Sequence, residues 1–194
     1  MARLPIVTSD QLDEAQQRVW DIVTGGRRGS AADLIDDQGG LIGPFNPMLY
    51  APLVGERVTA LGEALRFDAT LERRLIELAT ITVAANWRSD FEWFVHARLA
   101  REAGVDPAAI ESVRIGAEPS LEDAAEAVVH RFTRQLLEAG RPDDDTYTTA
   151  VELLGETAVV ELVNLVGYYC LISFVLNSFE PDVPPSAVPP WPAR

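Results

Sequence analysis

The chain has 194 residues, of which 47% are hydrophobic and 24% are charged. These values are ordinary for a soluble globular protein of one domain. The formal net charge is −14, which argues against nucleic acid and anionic membrane surfaces as partners, because both are bound through clustered Lys and Arg. A small anionic substrate stays open, since a pocket can be locally basic on an acidic protein. We expect one domain over residues 1–194, with its core at about 40–180.

The single cysteine, Cys170, cannot form an internal disulfide and lies in an apolar run. We therefore expect a core thiol and a reduced, cytoplasmic setting. The N-terminus lacks the basic-then-apolar pattern of a secretion signal. The longest apolar run, Leu165 to Leu176, contains Gly, Tyr and Ser and is too short and too polar to predict a membrane span.

The first third of the chain predicts helices separated by loops. An extended arm should precede an N-terminal helix over residues 9–23, with Ser9 as its N-cap. The glycines that follow lack the spacing of a phosphate-binding loop and indicate a flexible turn. Residues 30–50 should be loop with one short helical turn, and Pro52 should open a helix that ends near Leu65.

The rest of the chain is also helical in pattern. Residues 71–103 predict two helices joined by a short polar turn, with Thr70 capping the first and Ser89 or Asp90 the second. A short helix over 107–115 and a long one that Ser120 caps should follow, and then two more that end near Leu154 and Ser178. The proline-rich tail, 180–194, should be extended. No segment alternates as a strand would, so the predicted fold is an all-α multi-helix bundle.

Three ionisable residues in the central helix pair indicate a candidate site. Glu77 begins a stretch, Leu78 to Ala85, that carries no charge and should be buried. Glu92 and His96 are four residues apart and so share one helical face. A buried carboxyl group and an imidazole suit proton transfer, because histidine exchanges a proton near neutral pH. Glu92 could fix the tautomer of the ring or raise its pKa.

The run from Glu77 to His96 resembles the signature of the carboxymuconolactone decarboxylase and alkylhydroperoxidase-like superfamily. The thiol peroxidase branch has a Glu, a Cys-x-x-Cys pair beginning twelve residues later, and a His four residues after the second Cys. Glu77, Ser89, Glu92 and His96 occupy these positions here. The segments GPFNPMLYAPLVGERVTALGEALRF and VVELVNLVGYYCLISFVLNSFEPDVP also resemble non-thiol members. The resemblance implies an all-helical fold and a homo-oligomer, usually a trimer or hexamer.

Both cysteines of the superfamily motif are absent, so a disulfide cycle at this site is excluded, because a thiolate is the group that attacks peroxide. The resemblance instead implies a cofactor-free lyase or isomerase that acts on a small cyclic, carboxylated or lactone-like substrate, without a metal. Its catalytic residues would be His96, Glu92 and Glu77. The candidate substrate-binding residues are Ser89, Trp87, Phe45 and Tyr50. The alternatives are a peroxidase-type oxidoreductase and a non-catalytic oligomeric binding protein.

Purely structural interpretations of the same residues stay open. Glu92 and His96 could be only an intrahelical pair, and Glu77 could bind a helix end, Arg74 or Arg88. A second histidine, His130, has arginines close by in sequence and is expected at the surface. The aromatic residues near the motif and in the last helix are expected first in the core or at a subunit interface: Trp87, Phe91, Trp93, Phe94, Tyr168 and Tyr169.

Overall fold

The computed structural model describes residues 2–28, 34–182 and 190–191. Within these ranges the chain is helical, with two isolated β-bridges and no β-strand. The all-α fold class is therefore confirmed. The helices are α1 (Glu14–Gly25), α2 (Phe45–Leu49), α3 (Pro52–Phe67), α4 (Arg73–Trp87), α5 (Asp90–Glu102), α6 (Pro107–Ile115), α7 (Ala124–Ala139), α8 (Asp144–Leu154) and α9 (Glu156–Phe179).

Three of the predicted helix starts are wrong, and in each case a nearby residue is the N-cap instead. Ser9 lies in a short 3-10 turn, and α1 is capped by Asp13, whose carboxylate accepts the Gln16 N–H. Ser120 lies before the start of α7, where Asp123 accepts two backbone N–H groups. A carboxylate at the N-cap accepts from the free N–H groups as a serine hydroxyl does, and its charge also interacts favourably with the helix dipole.

The third wrong start is that of α4. Thr70 does not cap this helix, because its hydroxyl and its backbone N–H both donate to the Glu161 carboxylate. The N-cap is Glu72, and its side chain makes no capping hydrogen bond. A contact 91 residues away in sequence thus overrides the local preference of threonine for the N-cap.

The described residues group into two compact units. The first comprises residues up to 68 together with 174–182, and α1, α2 and α3 pack against one another within it. Gly55 of α3 lies against α2, so a Cβ built on it would lie 2.6 Å from the Met48 carbonyl oxygen. Glycine is therefore required for this close helix approach. The buried apolar side chains of this unit include Val19, Val23, Leu41, Leu49 and Leu65.

The second unit, residues 69–173 with 190–191, is built around α4. This helix packs against α5, α6 and α7, and α8 packs on α7. Every residue from Leu75 to Ala84 is buried, which confirms the expectation of a central helix that is apolar nearly all round. The core between α4, α5 and α6 includes Leu78, Ile81, Trp93, Ala97, Ala100 and Ile110, and Trp191 packs against it.

The last helix, α9, is long and apolar. It has 24 residues, and its length and composition alone would allow it to cross a membrane. Half of its most apolar window is buried inside the protein, and core helices of soluble proteins pass the same test, so this is weak evidence for a span. One face of α9 leaves large apolar side chains exposed: Val160, Val163, Leu171 and Phe174.

Replacing Gly55 by Ala should destabilise the first unit by about 1–3 kcal/mol, because the new methyl group must displace the backbone of α2. The measurement is the free energy of unfolding from urea denaturation. Gly25→Ala is the matched control, since nothing lies within 4 Å of a Cβ at that helical position, and it should be neutral or slightly stabilising. Equal effects of the two substitutions would contradict the close packing at Gly55.

Candidate active site

A tight turn between α4 and α5 sets the geometry of the candidate site. Arg88 adopts a left-handed conformation with φ 46°, and the Ser89 N–H donates to the Ala84 carbonyl oxygen at 2.9 Å. Ser89 is the N-cap of α5, although its side chain makes no capping hydrogen bond. The chain reverses within these two residues, so the side chains of α4 and α5 can face each other.

The structure brings Glu77, Glu92 and His96 together. Nδ1 of the His96 ring lies 2.7 Å from a carboxylate oxygen of Glu77, and Nε2 lies 3.3 Å from a carboxylate oxygen of Glu92. The three residues are only 2%, 5% and 3% exposed. We call this group the Glu–His–Glu cluster. Arg74, one of the proposed alternative partners of Glu77, instead pairs with Asp123 and Glu126.

The two carboxylates change the protonation state expected for His96. Burial by itself lowers the pKa of the imidazole, because it disfavours the charged ring. The charges of Glu77 and Glu92 and their hydrogen bonds outweigh burial and raise the pKa from 6.5 to about 9. His96 therefore stays protonated through neutral pH, hydrogen-bonded through Nδ1 to Glu77 and ion-paired through Nε2 with Glu92. A group in this state is a proton donor.

Two of the predicted substrate-binding residues lie in the same unit as the cluster. The Ser89 hydroxyl is fully buried and has no hydrogen-bond partner in the described structure. A buried hydroxyl without a partner is uncommon, and water or a bound ligand is the usual explanation. The indole N–H of Trp87 donates to the Cys170 sulfur at 3.3 Å, so Trp87 is tied to α9. Burial raises the pKa of the Cys170 thiol above its usual value.

The other two predicted substrate-binding residues lie in the first unit. Phe45 is half-buried and lies beneath the Arg28 guanidinium, 5.6 Å from its carbon. Tyr50 is 45% exposed, and its hydroxyl donates to the Pro5 carbonyl oxygen. Their assignment as walls of a substrate site stays a prediction.

The structure corrects the expectation for His130, and it shows a contact of Tyr169 with His96 that the sequence did not predict. His130, expected at the surface, is 3% exposed, and burial lowers its pKa below the usual value. It lies on the inward face of the amphipathic helix α7, a position that the neighbouring arginines obscured. Tyr169, buried as expected, also contacts the His96 ring edge-on, with the ring centroids 5.0 Å apart. No signal in the sequence links Tyr169 to His96, because the two residues are 73 positions apart.

Metal binding was not expected from the sequence. Over the ranges that the structure describes, no group of three or more His, Cys, Asp or Glu side chains has the arrangement of a metal site.

Comparison with known proteins agrees with this geometry. Residues 52–140 match the model of the Carboxymuconolactone decarboxylase family, and this segment includes the whole Glu–His–Glu cluster. The match supports the resemblance to the carboxymuconolactone decarboxylase and alkylhydroperoxidase-like superfamily that the sequence predicts. No curated protein matches it significantly.

Solved structures share the fold at low identity. A peroxidase-related protein with an alkylhydroperoxidase AhpD core from Ralstonia eutropha JMP134 is 14% identical, covers 93% of this chain and 92% of its own, and superposes with a TM-score of 0.71. The debrominase Bmp8 in complex with 2,3,4-tribromopyrrole is 11% identical, with coverage of 95% and 92% and a TM-score of 0.70. A putative antioxidant defence protein AhpD from Agrobacterium tumefaciens is 19% identical, with coverage of 70% and 93% and a TM-score of 0.62.

The two histidines should titrate on opposite sides of pH 6.5. His96 should keep its proton until about pH 9, whereas His130 should lose its proton below pH 6.5. The measurement is NMR of the imidazole resonances across pH, which is simple because the chain has two histidines. His96→Gln assigns the signals. A His96 signal that titrates at or below pH 6.5 would show that the carboxylates do not hold its proton.

The stability of the fold should also depend on the His96 proton. The folded pKa is about 9 and the ordinary value is 6.5, so the stabilisation is complete below pH 6.5 and is lost as pH rises through 9. Relative to His96→Gln, the free energy of unfolding of the wild type should fall by up to about 1.4 kcal/mol per pH unit in this window. Urea denaturation of both proteins at several pH values measures this difference. Parallel pH profiles would contradict the assignment.

Proposed function

We propose that the protein is a cofactor-free lyase or isomerase of the carboxymuconolactone decarboxylase type, which uses acid–base chemistry on a small cyclic, carboxylated or lactone-like substrate. The observation that carries the proposal is the His96 ring held between two buried carboxylates, at 2.7 and 3.3 Å. Buried groups with strongly shifted pKa values are typical of catalytic sites. A reduced, cytoplasmic setting belongs to the same proposal.

The proposed reaction needs an acid at a defined point. In a decarboxylation, the bond between the ring carbon and its carboxylate breaks, CO₂ leaves, and the electron pair passes into the conjugated lactone carbonyl as a dienolate. His96 then donates its proton to the carbon that lost the carboxylate. The longer contact, the ion pair with Glu92, is the one that gives way more easily to substrate, while the shorter hydrogen bond to Glu77 keeps the ring in place. Ser89 supplies a hydroxyl with unused hydrogen-bonding capacity.

The peroxidase alternative is disfavoured by the residues themselves. Ser89 and Glu92 stand where the redox pair of the thiol branch would be. The remaining thiol, Cys170, has a raised pKa because it is partly buried, which lowers the fraction of reactive thiolate. The fold is shared with a debrominase, which supports the view that this scaffold serves reactions other than peroxide reduction.

We also propose that the chain forms a homo-oligomer. The support is the apolar face of α9, where Val160 is 62% exposed and Phe174 is 49% exposed. Exposed apolar side chains that recur along one helix face are typical of a subunit contact. Sedimentation analysis would identify a trimer or hexamer.

Turnover should depend on His96. Purified protein is incubated with a set of unsaturated γ-lactone acids in D₂O, and CO₂ release and deuterium in the product are measured. His96→Gln should lower the rate at least about 100-fold, because general acid catalysis contributes about that much or more. Glu92→Gln should also lower the rate, because it removes one of the two charges that keep the ring protonated.

Glu102→Gln is the matched control, since Glu102 is an exposed carboxylate on the same helix that pairs with Arg98 at 2.7 Å. It should react at the wild-type rate. Thermal unfolding and sedimentation of each variant show whether the fold and assembly persist. The proposal is wrong if the wild type converts none of the lactone acids, or if folded His96→Gln retains full activity.

A further inference from the structure

A cavity of about 460 Å³ lies in the second unit, apart from the Glu–His–Glu cluster. Its walls come from the C-terminal end of α4, the end of α6 with the loop that follows, α7, and Trp191. None of Glu77, Glu92 and His96 lines it.

Arginines outnumber acidic residues in the lining of the cavity, although the protein as a whole is acidic. Three arginines line it, Arg88, Arg114 and Arg134, together with one acidic residue, Glu118. The side chain of Glu118 is 87% exposed, so solvent screens its charge. The formal net charge of the chain is −14, and all 16 of its basic residues are arginine. Arginine is the residue best suited to bind a carboxylate, because its planar fork can donate two parallel hydrogen bonds.

The existing partners of these arginines leave donors available. Arg134 pairs through one terminal nitrogen with Glu138, one helical turn away on the exposed face of α7. Arg114 binds Glu111 through Nε and Nη2, and its Nη1 donates to the Pro190 carbonyl oxygen. A guanidinium has five N–H groups, so Arg114 and Arg134 keep donors for a further anion beyond these contacts. The pair of Arg134 with Glu138 is an exposed pair within one helix, and such pairs are weak, at about 0.3–0.5 kcal/mol.

The remaining walls suit a flat organic molecule. Trp191 is fixed in place because its indole N–H donates to the Arg114 carbonyl oxygen at 2.8 Å and its ring contacts Trp93 edge-on at 5.3 Å. Val113 and Ile115 line the same space. His130 contributes a side chain that is only 4% exposed, and burial lowers its pKa, so it is neutral at pH 7 and can donate one hydrogen bond without adding charge.

We propose that this cavity is a binding site for a small aromatic carboxylate. Arg114 and Arg134 bind the carboxylate, and Trp191 with the neighbouring aliphatic side chains contacts the ring. The site is separate from the cluster assigned to catalysis, so it holds whether or not the proposed reaction is correct.

The test is isothermal titration calorimetry of the full-length protein with benzoate. Benzoate should bind at one site per chain, and benzamide, which has the same shape without the charge, should bind at least about tenfold more weakly, because a hydrogen bond to a charged group contributes about 1.5–3 kcal/mol. Arg134→Gln should weaken benzoate binding by a similar factor.

Arg98→Gln is the matched control for Arg134→Gln. Both substitutions break an exposed pair between an arginine and a glutamate four residues later in a helix, but Arg98 does not line the cavity. Arg98→Gln should therefore leave the dissociation constant for benzoate within twofold of the wild type. Trp191→Ala should weaken benzoate and leave inorganic phosphate unaffected, since phosphate has no ring to pack.

Three outcomes would overturn the proposal. These are the absence of benzoate binding, equal affinity for benzoate and benzamide, and benzoate affinity that is unchanged in folded Arg134→Gln. Tighter binding of inorganic phosphate than of benzoate would also overturn it, since it would show that the cavity selects anions by charge alone.

Discussion

The structure of the second unit depends on how one cation stabilises two buried carboxylates. A buried charge costs several kcal/mol unless it is paired and hydrogen-bonded. Glu77 and Glu92 are almost fully buried among apolar helices, and the His96 ring is hydrogen-bonded to the first and ion-paired with the second. These two contacts hold the three side chains together as the Glu–His–Glu cluster. Removing His96 takes away the cation between two buried carboxylates, and breaking a buried ion pair typically costs about 3–5 kcal/mol.

The other residues of α4 allow the Glu–His–Glu cluster to be buried. Its two central threonines do not need outside partners, because Thr80 and Thr82 donate to the carbonyl oxygens of Ile76 and Leu78 within the same helix. The remaining surface of the helix is apolar and packs against α5, α6 and α7. Glu77 is thus the one buried carboxylate of α4, and the tight turn at Arg88 brings the His96 of the next helix to it.

Helical periodicity predicted the class of fold and most of the helices, and motif spacing predicted which side chains share a site. The N-cap preferences of single residues were less informative about helix starts. Near Ser9 and Ser120, an aspartate a few residues later takes the N-cap position. Thr70 instead binds a distant partner, Glu161. The burial of His130 and the contact of Tyr169 with His96 depend on tertiary packing. The roles of the clustered residues in catalysis remain predictions, since geometry alone does not show turnover.

The two charged regions of the second unit, the Glu–His–Glu cluster and the arginine-lined cavity, should respond differently to dissolved ions, because only the cluster is buried. The Debye length is about 8 Å at physiological ionic strength, and screening acts mainly on charges in contact with solvent. The Glu–His–Glu cluster is closed to solvent, so added salt leaves its attraction nearly unchanged. The arginines of the cavity have side chains that are 31% and 40% exposed at Arg114 and Arg134. Added salt should therefore weaken the attraction of the cavity arginines for an anion more than it weakens the cluster, and His96 should keep its proton in dilute and concentrated electrolyte alike.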